Sequence, residues 1–157
     1  MPYRTAENAD AATLVALALA FRDHLERDRP TVAQLAAGVS QLLASPDAEF
    51  TLAHQDGEAV GYTLLRFRPS MWAGGLEATL EDLFVRPDHR GQGLGRGLVG
   101  ASLARARDRG CVTIGLDTNE RNEASTRIYR SFGFDAHSRR WGGRQMFYRL
   151  ALEPPCC

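Results

Sequence analysis

Arg90-Gly91-Gln92-Gly93-Leu94-Gly95 decides the reading of this sequence, because of the segments on either side of it. Upstream, Leu80-Glu81-Asp82-Leu83-Phe84-Val85 is strand-like and closes at Arg86-Pro87. Downstream, Leu94, Leu98, Val99, Leu103 and Ala106 share one face of a predicted helix. A glycine-rich turn from a strand into a helix aims unpaired backbone N–H groups and the positive end of the helix dipole at one point. Glycine removes the side chain where the backbone must come within hydrogen-bonding distance of an anion. The stretch therefore predicts a grip on a phosphate or pyrophosphate.

Spacing separates the kinds of glycine loop. A Walker loop ends in Gly-Lys-Ser/Thr, and the chain contains no lysine. The dinucleotide pattern GxGxxG fails in both registers, since Arg96 and Leu98 stand where its last glycine belongs, and the kinase loop fails with it. A second signature lies downstream. Val112-Thr113-Ile114-Gly115-Leu116 reads as a buried strand and Asp117-Thr118-Asn119-Glu120-Arg121 as a polar loop. Asn122 then caps a helix with Glu123 in its first turn, Ala124, Ile128 and Tyr129 on one face, and Gly133 at its end.

Arg-Gly-x-Gly-x-Gly on a strand–loop–helix, followed by Asn122-x-x-Ser125-x-x-x-Tyr129-x-x-x-Gly133-Phe134, resembles the two motifs of the GNAT superfamily of N-acetyltransferases in order and distance. The resemblance covers roughly residues 58–150 well and the first fifty residues only in general shape. It implies acetyl-CoA as co-substrate, its pyrophosphate held by Gly91, Gln92, Gly93, Leu94, Gly95 and Arg96, with Arg90 or Arg96 adding charge. It further implies that backbone groups of Leu83, Phe84 and Val85 pair with the pantetheine arm, between splayed strands carrying Leu83 and Ile114. Asn122 and Ser125 complete the expected cofactor-binding set. Tyr129 would protonate the departing thiolate, and Glu81 would act as base, through a water. The run 80–87 is especially similar to spermidine/spermine N-acetyltransferases and their bacterial relatives, where acidic residues also attract a cationic acceptor. Glu81 and Asp82 are the matching substrate-binding pair. A homodimer through the C-terminal strands is also implied.

The residue types suit these roles. A phenol with a pKa of about 10 lies within roughly two units of a thiol, so proton transfer between them is near balance. The competing reading makes Tyr129 one more aromatic on a buried helix face. Glu81 and Asp82 should point to opposite faces of their strand. Charges inside an otherwise apolar strand are costly unless they face a wet cleft, the alternative being solvated strand-end charges.

Composition bounds the rest. The 157 residues make one α/β domain, 1–152, with a Pro/Cys tail at 153–157. Nineteen acidic residues balance nineteen basic ones, all arginine, so no global field steers the chain to nucleic acid. The N-terminus lacks a basic leader region and the apolar run 11–21 is too short to span a bilayer, which predicts a cytoplasmic protein with no membrane role. His24, His54, His89 and His137 have no paired spacing, and Cys111 joins no metal pattern with Cys156 and Cys157, so no metal site is expected. Cys111 reads as a small core residue.

Asp10 should cap a first helix carrying Leu14, Leu17, Phe21 and Leu25, and Thr31-Val32-Ala33-Gln34 is a capping box for a second. The mixed-charge stretch 22–29 between them reads as a solvated helix end, the alternative being that its acidic residues shape the acceptor pocket, as the resemblance implies. Asp56-Gly57 turns a hairpin between strands at 50–54 and 60–68. Two last strands, 134–140 and 145–150, should meet at Gly142-Gly143. The order β-α-α-β-β-β-α-β-α-β-β predicts a mixed, mostly antiparallel sheet with helices on both faces, a GNAT-like arrangement. The function expected is N-acetyl transfer from acetyl-CoA to a primary amine of a small molecule. The alternatives are a protein or peptide acetyltransferase and a non-catalytic acyl-CoA sensor.

Overall fold

The turn at Asp56-Gly57 sets the register of the sheet. Both residues have positive φ, 51° and 83°, which is the backbone a two-residue hairpin needs to match strand twist. In a computed structural model, which describes residues 2–152, this turn joins β2 (Ala48–Gln55) to β3 (Glu58–Ser70). β1 (Tyr3–Thr5) pairs antiparallel with β2, and β4 (Gly75–Val85) pairs antiparallel with β3. β5 (Thr113–Gly115) lies parallel to β4 at the far edge, so the five strands are ordered β1-β2-β3-β4-β5.

Alternation along β3 divides the core. Tyr62 and Leu64 join Leu14 and Leu17 of α1 (Ala11–His24), and Val39 of α2 (Val32–Ala44), on one face. Leu65 and Phe67 join Val99 and Ala106 of α3 (Leu94–Asp108) and Tyr129 of α4 (Glu123–Ser131) on the other. On that second face the buried Thr63 and Ser102 hydroxyls satisfy each other at 2.8 Å, as burial requires. Thr31 opens α2 as its sequence predicts. Its Oγ1 accepts from the Gln34 N–H at 3.2 Å, and Gln34 Oε1 accepts from the Thr31 N–H at 2.8 Å.

Two features of β4 position everything that follows. Its register with β3 steps from Leu64↔Asp82 to Leu65↔Leu80, which leaves Glu81 as the extra residue of a bulge. And β4 pairs with β5 only through Glu77, Ala78 and Thr79. From Leu80 through the bulge to Val85, no strand among the described residues pairs with β4 on that side. This is the splay expected between the strands of Leu83 and Ile114.

Three expectations are corrected. The last two strands do not form: 134–150 contains one bridge, His137↔Arg144, and Met146, Phe147, Tyr148 and Leu150 are exposed. A hairpin gains stability by burying a face, and the three-residue β5 offers it almost no edge. Asp10 stands at the start of α1 but does not cap it. Its carboxylate accepts from Arg4 at 2.7 and 2.8 Å and from the Glu7 N–H at 2.8 Å, closing the preceding turn. Asn122 likewise precedes α4 while its amide reaches Thr118 at 3.4 Å. Cys111 packs at the margin of the α3–α4 core as a free thiol, and burial raises its pKa. Cys156 and Cys157, with the rest of the tail, lie outside the described residues.

Candidate active site

The glycine loop is built for an anion. Gly91 and Gly93 have φ of 76° and 82°, a region closed to most side chains, and a Cβ at either would meet nothing within 4 Å. Gly93 is the cap of α3, whose first ladder bond runs from the Gly97 N–H to its carbonyl at 2.9 Å. Among the described residues, no backbone N–H from 91 to 96 has an acceptor. Six backbone donors at a helix N-terminus are thus left without a protein acceptor. Gly95 serves packing instead: a Cβ there would stand 3.3 Å from Ile128 Cδ1, so its absence lets α3 approach α4.

Side chains around the loop are committed to the protein. Gln92 Oε1 accepts from Gln55 Nε2 at 2.6 Å, and Gln55 Oε1 lies 2.7 Å from His89 Nδ1, which ties the loop to the β2–β3 hairpin. Leu94 packs with Val85 and Leu98. Arg90 Nε donates to the Val85 carbonyl at 2.8 Å, and its Nη1 lies 3.2 Å from His24 Nε2. Arg96 donates to Ser131 Oγ at 2.6 Å and stacks 4.9 Å over Phe132. Each arginine is held against the fold, with its Nη2 left without a protein partner among the described residues.

Next to the loop runs the unpaired edge of β4. Phe84 and Val85 are buried and Leu83 packs against the core, so these residues offer only backbone to that edge. The bulge overturns the expectation that Glu81 and Asp82 face opposite ways. Leu80 belongs to the α3–α4 side, whereas Asp82 Oδ2 accepts from the Tyr62 hydroxyl at 2.9 Å on the α1–α2 side. Glu81 Oε1 lies 3.7 Å from Arg66 Nη1, and Arg66 follows Tyr62 and Leu64 on that same side of β3. Both carboxylates therefore attend one face. Burial raises the pKa of Glu81; Arg66 opposes the rise, and Asp82 and Asp117 add to it. Burial also raises Asp82, opposed by the Tyr62 hydrogen bond, and drives the Tyr62 phenol well above its usual value.

Tyr129 approaches β4 from the opposite face. It is buried against Leu80 and Val99, with Phe134 edge-on at 6.0 Å. Burial raises its pKa, partly offset by a hydrogen bond with Ser125, so the phenol stays protonated at ordinary pH. Asp82 and Asp117 both act on it electrostatically, which brings acid and carboxylates to one locality astride the free strand edge. Asn122 is exposed at the start of α4, where its carbonyl accepts from the Thr126 N–H at 3.1 Å. On the α1–α2 side, a cavity of about 380 Å³ reaches down to Tyr62 and Asp82.

These features coincide with a known family. The model of the acetyltransferase (GNAT) family matches residues 16–134. The chain belongs to this family. Among GNAT relatives, the mycothiol acetyltransferase of Cellulomonas flavigena is 36% identical over 122 residues, 74% of this chain and 35% of that protein. The aminoglycoside N(6')-acetyltransferase type 1 of Stenotrophomonas maltophilia is 29% identical over 157 residues, 90% of this chain and 99% of that one. The chain thus spans about a third of the first relative's length and nearly all of the second's. A proposed acetyltransferase from Arthrobacter sp. FB24 has the same GNAT fold, with a TM-score of 0.84 at 31% identity, over 96% of this chain and 95% of that one.

Sequence reasoning missed Tyr62, Arg66 and His24. Alternation through Val60, Tyr62 and Leu64 marks Tyr62 as inward-facing, but its pairing with Asp82 depends on the bulge. No helix among the described residues is long and apolar enough to cross a membrane.

Proposed function

We propose that this protein transfers the acetyl group of acetyl-CoA to a primary amine of a small molecule. The observation that supports this best is the set of six acceptor-free N–H groups at 91–96, set beside the unpaired backbone edge of β4. The loop suits the pyrophosphate, with the free nitrogens of Arg90 and Arg96 as its charge partners. The edge at 83–85 suits the amide-bearing pantetheine arm, and Asn122 and Ser125, at the start of α4, complete the proposed cofactor set. When bound, acetyl-CoA supplies an activated acetyl thioester.

The rest of the chemistry falls to side chains. Asp82 attracts the acceptor as an ammonium. Glu81, its pKa raised by burial toward that of a general base, takes the proton through a water. A backbone N–H of 83–85 polarises the carbonyl oxygen. Tyr129 gives its phenolic proton to the departing sulfur. The confined α1–α2 cavity favours a small acceptor over a peptide, and the pairing of Tyr129 with Glu81 favours catalysis over sensing. Relatives named for mycothiol and for aminoglycosides agree with a small amine. The cytoplasmic setting expected from the sequence is part of the same proposal.

The test is acetyl transfer to a panel of amines, followed by release of the CoA thiol and by the mass of the product. No transfer and no acetyl-CoA binding would overturn the reading. Within it, Glu81→Gln should lower kcat/KM by about a hundredfold near neutral pH and recover toward wild type as pH nears the amine's own pKa of about 10. The sign follows from the protons: above that pH the amine is already neutral and needs no base. A pH profile identical to wild type would remove Glu81 from the chemistry.

The proposal extends to a homodimer through residues 134–152. Trp141, Met146, Phe147, Tyr148, Leu150 and Leu152 are all exposed there, a run of apolar surface that a monomer leaves in water. Light scattering at tens of micromolar protein should give twice the chain mass, and a monomer's mass would exclude the dimer.

A further inference from the structure

The lining of the α1–α2 cavity is of chemically different kinds. On the sheet side are the Asp82 carboxylate and the Tyr62 hydroxyl that donates to it. Leu14, Phe21, Leu35, Val39, Phe50 and Leu64 form apolar walls. From the last turn of α1 and the loop after it, Arg22, Arg27 and Arg29 also line the space. Arg22 is committed to the loop that follows α1: its Nη1 donates to the Pro30 carbonyl at 3.0 Å, and its Nε and Nη2 donate to Asp23 at 3.0 and 2.8 Å. Arg27 and Arg29 make no hydrogen bond or ion pair through their side chains among the described residues. The acidic neighbours Glu26 and Asp28 alternate with them and do not line the cavity. Two exposed arginines without a side-chain partner among the described residues therefore line the cavity.

Resting on the acetyltransferase reading, we propose that the acceptor carries an anionic group, a carboxylate or a phosphate, separated from its reactive amine by an apolar spacer. The amine end lies at Asp82, beside the β4 edge where the thioester would sit. The anion lies between Arg27 and Arg29, where planar guanidinium groups can hold it through charged hydrogen bonds. The spacer crosses the apolar walls. A volume of about 380 Å³ suits a molecule of metabolite size. The polyamine-like acceptor suggested by the run 80–87 is disfavoured, because its second ammonium would enter a cluster of three arginines. A solvated loop would also show exposed arginines, but it gives no reason for the two bases to line the cavity and the two acids to avoid it.

The experiment compares equilibrium binding of acceptors of similar length by calorimetry with CoA present: ε-aminocaproate, its neutral amide, and hexamethylenediamine. Ethanolamine phosphate supplies the phosphate arm. The anionic amine should bind at least about tenfold tighter than the amide, a difference of about 1.4 kcal/mol. In the Arg27→Ala/Arg29→Ala double variant that ratio should fall to near one, and in Arg27→Lys/Arg29→Lys most of it should return. Tighter binding by the phosphate amine than by the carboxylate assigns the anion as phosphate, and the reverse assigns carboxylate. Equal binding of amine and amide, a preference for the diamine, a preference that survives the double alanine variant, or no binding by any of them overturns the proposal. Acetyl transfer is measured separately on the same compounds. Arginine-dependent binding without transfer leaves the cavity assignment standing and removes the acetyltransferase reading. Transfer to the diamine with no anion preference does the opposite.

Discussion

Gly93→Val should cost acetyl-CoA about a hundredfold in affinity, close to 2.7 kcal/mol, while the protein stays folded. Gly93 has a φ of 82°, where a β-branched residue is strained. If valine relaxes to negative φ, the N–H groups of the loop rotate away from their common focus. If it does not, its branched side chain occupies the space the anion needs, because a Cβ there meets no protein atom within 4 Å. The same open space is why the fold survives: nothing in the core is displaced. Calorimetry with acetyl-CoA measures the loss, and the far-UV circular dichroism of the variant reports the fold. Wild-type affinity in a folded Gly93→Val protein would mean that the loop does not hold the ligand.

Tyr129→Phe should lower kcat by about a hundredfold and leave acetyl-CoA affinity nearly as it was. The substitution keeps the ring against Leu80, Val99 and Phe134 and removes only the hydroxyl. Because burial raises the phenol's pKa, the wild-type rate should show no loss of the acid through neutral and mildly alkaline pH. Single-turnover rates separate chemistry from product release. A single-turnover rate equal to wild type would return Tyr129 to the role of a core aromatic.

The strand–loop–helix was legible because each of its parts is local. Alternation and apolar spacing locate β4 and α3, and the capping box at Thr31 and Gln34 forms as its side chains dictate. The site was less legible wherever it depends on one strand's register against another. Nothing in Leu80-Glu81-Asp82 announces a bulge, so strict alternation sent Glu81 and Asp82 to opposite faces when both attend one. The partners of Arg90 and Arg96 sit at distant positions, His24 and Ser131, and could not be foreseen from the loop. Arginines at 27 and 29 read as solvated charge until α2 folded over to make them walls of a cavity. The final strands failed for the converse reason. Phe134, Phe147 and Tyr148 are strand formers, but a strand exists only with an edge to pair with, and β5 is three residues long.

The bulge at Glu81 also makes β4 sensitive to counting. Up to Leu80 the strand keeps step with Leu65, and one residue later it has slipped half a period, so that every side chain from Asp82 onward is exchanged between the two layers of the domain. A substitution at 81 alters one carboxylate. Deleting residue 81 would remove the bulge and leave Leu80 opposite Leu65 and Asp82 opposite Leu64, so Asp82 would keep the acceptor cavity, whereas a deletion at Leu83 would carry Phe84 to the other layer and away from Phe21. Residue 81 is thus where this strand can lose one residue and keep its layers, and insertions or deletions at 82–85 should be far rarer than replacements among chains that share this cavity.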